Sequence, residues 1–128
     1  MKKICIIFGT RPEIIKLAPL IKILEKKKKK FFLIFSSQHY DRNMSKIFLN
    51  EFDIKKPKYT LKTEKKKNIN FINSTTKKIV NILNIEKPHI VIVQGDTNTS
   101  LSGALAVKTI QSKIKDAEGK ELNESQAD

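Results

Sequence analysis

Apolar positions fall in two alternating rhythms along this 128-residue chain. Three short runs, Ile4-Cys5-Ile6-Ile7-Phe8, Phe31 to Phe35 and His89-Ile90-Val91-Ile92-Val93, have strand length. They lack the polar alternation of a sheet with one wet face, as strands buried on both sides do. Between them the period changes to that of a helix. Ile14, Leu17, Ala18, Ile21 and Leu24 predict a helix over about Pro12 to Lys28, its lysine-rich end suited to the negative end of the helix dipole. A second helix is expected to begin near Asp41, an acceptable cap, and to turn Met44, Ile47, Phe48 and Phe52 inward. Pro57 to Leu61 reads as a short strand, and a helix opening at Asn68 or Asn70 carries Ile72, Thr76, Ile79, Val80 and Leu83 on one face. A last helix spans about Asn98 to Ile110. The alternation predicts an α/β fold, a Rossmann-like parallel sheet with flanking helices, over residues 1–110. Residues 111–128 hold five acids and three lysines, with only Ile114 and Leu122 large and apolar. They read as a polar tail, a frayed helix or a disordered end.

In such a fold the loops leaving the strands gather at the carboxyl edge of the sheet, where ligands bind. The first loop is Gly9-Thr10-Arg11-Pro12-Glu13 and the last is Gly95-Asp96-Thr97. Pro12 suits a first helical turn, and Glu13 complements the positive helix end. Gly9 is expected to let backbone approach a ligand, with the N–H groups of the following helix facing an anion. Arg11 can grip phosphate oxygens in a fork, and Lys16 adds a cation at the same helix end. Asp96 can cap the last helix; equally, it can bind a sugar hydroxyl or move a proton. Gln38 and His39 end the second strand on the same edge and are expected to line the cleft. Thr97 and Thr99 read as loop hydrogen-bonders, and His89, at the opposite edge, as structural.

Charge changes this picture only in part. The net charge is +13, and all the basic residues except Arg11 and Arg42 are lysines. Such a field draws in anionic substrates. Aromatic residues do not interleave the lysine runs, and no helix-turn-helix or zinc pattern is present, so nucleic acid is not an expected partner. The glycines form neither a dinucleotide fingerprint nor a P-loop. Two histidines and the single Cys5 do not suggest a metal site. Cys5 excludes an internal disulfide and reads as a small core residue. With no run long enough to cross a bilayer and no secretory signal, a cytoplasmic location is expected and no membrane partner.

The motifs together resemble a known family. Ile7-Phe8-Gly9-Thr10-Arg11-Pro12-Glu13, followed by Ile15-Lys16 and Ala18-Pro19-Leu20, is similar to the start of the non-hydrolysing UDP-N-acetylglucosamine 2-epimerases. Ser37-Gln38-His39 and Gly95-Asp96-Thr97-Asn98-Thr99, with Leu101 and Ala104-Leu105-Ala106 after it, match the family's next two markers in order. Gln94 departs from the pattern, which usually has histidine there. The resemblance implies the amino-terminal lobe of a glycosyltransferase-B-like fold. It implies an isomerase of polysaccharide biosynthesis that interconverts UDP-GlcNAc and UDP-ManNAc by elimination and re-addition of UDP, without cofactor or metal. Carried over by position, Arg11 and Lys16 contact the UDP-sugar, and Asp96 binds it and joins the proton chemistry. Glu118, within Asp116-Ala117-Glu118-Gly119, is a remnant candidate for the family's next glutamate. The apolar strand, the histidine and the whole carboxy-terminal lobe expected after that point are not in this sequence. The chain therefore reads as truncated, with little or no activity alone and a homodimer as one assembly. A hydrolysing relative and a non-catalytic nucleotide- or partner-binding module are the competing readings.

Overall fold

The computed structural model describes residues 2–36, 50–51, 53–54, 56–61, 68–95 and 98–117. Strand β1 (Ile4–Phe8) leads to helix α1 (Arg11–Lys26), then to β2 (Phe31–Ser36) and β3 (Tyr59–Leu61). Helix α2 (Asn68–Glu86), strand β4 (Ile90–Ile92) and helix α3 (Asn98–Ala117) complete the order. The four strands form one sheet in the order β3-β2-β1-β4, every pairing parallel. This is the Rossmann-like sheet with flanking helices that the alternating periods predict.

The unbroken apolar runs are explained by what covers them. Along β1 and β2 the side chains alternate between two packed layers. Ile6, Phe8, Leu33 and Phe35 meet Ile14, Leu17, Ala18, Ile21 and Leu24 of α1. Cys5, Ile7, Phe32 and Ile34 meet Ile79, Val80, Ile82 and Leu83 of α2 and Ala106 of α3. Each such side chain, fully buried, contributes about 1.5–3 kcal/mol relative to exposure. Cys5 is completely enclosed, and burial pushes its thiol up to about 12. That makes it an inert core residue rather than a nucleophile. The strand β4 is less covered, with Ile90 exposed and Val91 and Ile92 half-buried.

Several boundaries differ from the periodic expectation. Helix α1 ends at Lys26 because Lys28 takes a left-handed φ of 52°. The Lys29 amide donates to the Leu24 carbonyl at 2.9 Å and the Lys28 amide to Glu25 at 3.0 Å. These two bonds close the helix in a Schellman turn, without its usual glycine. The inward face of α2 runs through Phe71, Thr75 and Ile79, leaving Ile72 and Thr76 half-buried. Helix α3 continues past Ile110 to Ala117. Asn50 and Glu51 are helical, and the rest of the helix expected from Asp41 lies outside the described residues.

The amino edge of the sheet is closed by one carboxylate. Glu86, at the end of α2 with its side chain 6% exposed, accepts from Lys3 and Tyr59 and pairs with Lys58 at 2.7 Å. Lys3 precedes β1, Lys58 precedes β3 and Tyr59 opens it, so Glu86 ties three elements together. The ammonium groups of Lys3 and Lys58 also sit 5.2 and 6.0 Å from the centre of the Phe32 ring, within cation–π range. Beside them, the Lys3 amide donates to His89 Nδ1 at 3.1 Å and the His89 amide returns to the Lys3 carbonyl at 2.8 Å. His89 is thus structural, as its place at this edge predicts.

The bonds from Lys3, then Lys58 and Tyr59, lower the Glu86 carboxyl from 4.5 to about 2. A carboxyl whose folded pKa is depressed stabilises the fold above its unfolded pKa, and that contribution fades as pH falls toward the folded value. The Glu86→Gln variant should therefore lose stability at neutral pH and converge on the parent between pH 4.5 and about 2. Urea unfolding midpoints across that range check this; a constant difference between the two proteins would refute it.

Candidate functional site

Strands β1 and β4 are neighbours, yet the chain leaves β1 toward β2 on one side and reaches β4 on the other. This is the topological switch point of an open α/β sheet, and it brings the loops after β1 and β4 side by side. Gly9, Thr10 and Glu13 of the first loop meet Gln94 and Ser100, which flank the last loop, here.

Thr10 caps α1, and its hydroxyl accepts from the Glu13 amide at 3.4 Å. In return Glu13 Oε1 accepts from the Gly9 amide at 2.8 Å and the Thr10 amide at 3.0 Å. The spacing Thr-x-x-Glu is the sequence signature of this capping box. Glu13 is only 3% exposed. Its other oxygen, Oε2, accepts from the Ser100 hydroxyl at 3.2 Å, and that hydroxyl also reaches the Gln94 carbonyl at 2.5 Å. Glu13 therefore does more than complement a helix dipole: it links the starts of α1 and α3.

The amides of Gly9 and Thr10, just before α1, are satisfied within the fold. Both donate to the protein's own carboxylate. Gly9 is also required for a different close approach. A Cβ built there would lie 1.8 Å from the Ser36 carbonyl oxygen and 2.5 Å from Thr99 Oγ1. Thr99 itself donates to that Ser36 carbonyl at 3.1 Å. It is the loop hydrogen-bonder expected of it, and it pins the end of β2 beneath the start of α3. Gly95 takes a φ of +83°, a conformation that L side chains rarely adopt, with open space where a Cβ would sit.

Arg11 opens α1 with its side chain half-exposed, and its Nη2 lies 3.5 Å from Glu51 Oε1. An exposed pair of that length holds the guanidinium only weakly. Lys16 is exposed further along the same helix. Gln38, His39, Asp96 and Glu118 lie outside the described residues, so the structure positions only the ends of the segment carrying Asp96, at Gly95 and Asn98. Among the described residues no three His, Cys, Asp or Glu side chains gather as a metal would require, and no helix is long and apolar enough to cross a membrane. Ser100 and Ser36 escaped the sequence reading. Ser100 follows Thr99 in an unremarked polar run, and Ser36 contributes a backbone carbonyl, which no residue type announces.

Known proteins match this arrangement. A family model described as UDP-N-acetylglucosamine 2-epimerase matches residues 22–119. The chain is 49% identical over 114 residues to a UDP-N-acetylglucosamine 2-epimerase of Methanococcus maripaludis, covering 89% of this chain and 31% of that protein. It is 36% identical over 113 residues to a UDP-2,3-diacetamido-2,3-dideoxy-D-glucuronate 2-epimerase of Pseudomonas aeruginosa, covering 88% of this chain and 32% of that protein. The crystal structure of the Methanocaldococcus jannaschii UDP-GlcNAc 2-epimerase, in complex with UDP-GlcNAc and UDP, superposes with a TM-score of 0.80. That match has 44% identity and covers 85% of this chain and 30% of that one. The chain thus spans about 30% of the length of these relatives.

Gly9 precedes the span of the family model, and its role rests on geometry alone. With a carbonyl 1.8 Å from any added Cβ, Gly9→Ala must push β2 and α3 apart and is expected to cost about 3 kcal/mol. Gly95→Ala, strained only by its backbone, should cost about 1 kcal/mol. Urea unfolding midpoints at unchanged slope check the order; equal losses would show that the Gly9 contact relaxes freely.

Proposed function

Because this chain belongs to the UDP-N-acetylglucosamine 2-epimerase family, we propose that it forms the amino-terminal wall of a cleft that interconverts UDP-GlcNAc and UDP-ManNAc. The observation that carries the proposal is the meeting of the loops after β1 and β4 at the switch point of the sheet. The names of the Methanococcus and Pseudomonas relatives differ in the sugar and share the uridine diphosphate and the 2-epimerisation. UDP is thus the constant part of what the cleft is proposed to hold. At 49% against 36% identity, N-acetylglucosamine is the favoured sugar.

In the proposed reaction a base removes the C2 proton while the C1–O bond breaks. UDP leaves with that bond's electron pair, and a 2-acetamidoglucal remains. UDP then adds back at C1 as a proton is delivered to the opposite face of C2. Asp96 is proposed to bind the sugar and share in these proton transfers, with Glu118 as a second acid/base group. Arg11 and Lys16 are proposed to meet the diphosphate, where a guanidinium fork and an ammonium suit phosphate oxygens. Gln38 and His39 are proposed to line the sugar side.

Departure of UDP develops negative charge that must be held in a water-excluded site. One wall of a cleft, about 30% of a relative's length, does not enclose it. The isolated chain is therefore proposed to bind UDP weakly and to turn over little or no substrate. A second copy is the proposed partner in solution, on the strength of Ile90, Leu101 and Leu105, exposed by 44%, 47% and 39% along β4 and α3; sedimentation equilibrium checks it.

A proton NMR time course with UDP-GlcNAc in D₂O tests the reading. Shifted uridine signals beside an unchanged sugar are expected. Growth of a C2-deuterated manno epimer would show that this wall suffices for catalysis. Free N-acetylmannosamine would point to the hydrolysing relatives, and an unperturbed uridine spectrum would overturn the proposal.

A further inference from the structure

Four lysines gather at the amino edge of the sheet, the end of the strands away from the loops after β1 and β4. Lys3 precedes β1, Lys30 ends the exposed run Lys26 to Lys30 ahead of β2, and Lys56 and Lys58 precede β3. These three strands are neighbours in parallel register, so the four side chains converge on the start of β2. There they line a cavity of about 500 Å³, together with Phe31, Phe32 and Leu33. The backbone fixes their stems. The Ile4 amide donates to the Lys30 carbonyl at 3.0 Å, and the Lys58 amide to the Leu33 carbonyl at 3.0 Å. Lys3 and Lys58 are further held by Glu86 and lie near the Phe32 ring. Lys30 and Lys56 are exposed, and no acid pairs with either among the described residues. One carboxylate thus meets four ammonium groups, whose mutual repulsion a bound anion would relieve.

We propose that this cavity binds a compact polyphosphate, a chain of linked phosphates either free or carried as the tail of a nucleotide. Its volume lies within the range of about 300–1,000 Å³ common to small-molecule sites. Two strand spacings, about 10 Å, separate the starts of β1 and β3, a span suited to linked phosphates rather than to one. Lys30 and Lys56 supply the uncommitted donors, and Lys3 and Lys58, steered by Glu86, the opposing side of the charge. An ammonium is a point charge that accepts a phosphate oxygen from many directions. A nucleic-acid strand fits less well, because such strands are held by bases stacked on open aromatic rings. Phe32 is only 6% exposed and lies close to two ammonium groups. The site is independent of the proposed UDP-sugar cleft.

The test titrates the whole chain, ¹⁵N-labelled, with sodium tripolyphosphate and, separately, with ATP. The amides of Lys30, Phe31 and Lys58 are expected to shift and saturate. Both anions should bind with similar strength, since the phosphate chain is what they share, and binding should weaken as salt is raised. The double variant Lys30→Gln, Lys56→Gln should lose about tenfold in tripolyphosphate affinity. The double variant Lys27→Gln, Lys29→Gln removes the same charge from the same edge but leaves the cavity lining intact, and should lose less than about twofold. Equal losses in the two variants would show attraction by net charge alone and overturn the site. Shifts centred on Gly9 and Gly95, or ATP binding that tripolyphosphate does not share, would overturn it as well. Absence of UDP binding would count against the cleft and leave this result standing.

Discussion

The carboxylate of Glu13 is the contact on which the carboxyl edge of this sheet depends. A parallel sheet fixes the spacing of its strands through backbone bonds, but those bonds stop at the last paired residue. Beyond Phe8 and Ile92 the loops have no ladder to follow. What holds them is a buried acid shared between the amides of Gly9 and Thr10 and the hydroxyl of Ser100. A buried acidic group is tolerated when its oxygens are hydrogen-bonded, and a helix start favours negative charge. Glu13 meets both conditions. The same bonds occupy amides that a bare helix start would have offered to a phosphate.

The opposite edge solves a related problem with the opposite chemistry. Glu86 gathers Lys3, Lys58 and Tyr59, so that the starts of β1 and β3 and the end of α2 converge on one acid. There the partners are cations and a phenol, and the carboxyl is driven far below its ordinary value. At the other edge Glu13 counts amides and a hydroxyl among its partners. Cations that could serve a substrate, Arg11 and Lys16, stand nearby with exposed or half-exposed side chains. Neutral donors thus contribute to the edge where the UDP-sugar is proposed to bind, and cations to the far edge.

The family relationship and the partial length together frame the function. About 30% of a relative's length carries the switch point, the two loops and the basic side chains. That share is proposed to supply orientation and charge on one side of a nucleotide sugar. Stabilising the leaving diphosphate and excluding water are properties of an enclosed cleft, which is why activity of the isolated wall is proposed to be small. The high positive charge fits an anionic ligand in general and identifies no particular one.

The sequence by itself determined the layered architecture, because burial on both faces leaves unbroken apolar strands and a helical period leaves its stripe wherever it occurs. Strands at 4–8, 31–36 and 90–92, and helices from 11 and 98, lie where those rhythms placed them. Motif order also carried the family. What it could not carry were contacts between residues far apart in the chain. Ser100 reads as one polar residue among several until β1 and β4 are seen as neighbours. That the Ser36 carbonyl fills the space beside Gly9 is likewise written in no sequence pattern. Glu86 looks like an ordinary helix-end acid until the starts of two strands are brought to it. Periodicity records which face of an element is buried; only the tertiary structure decides which polar groups that burial forces to find one another.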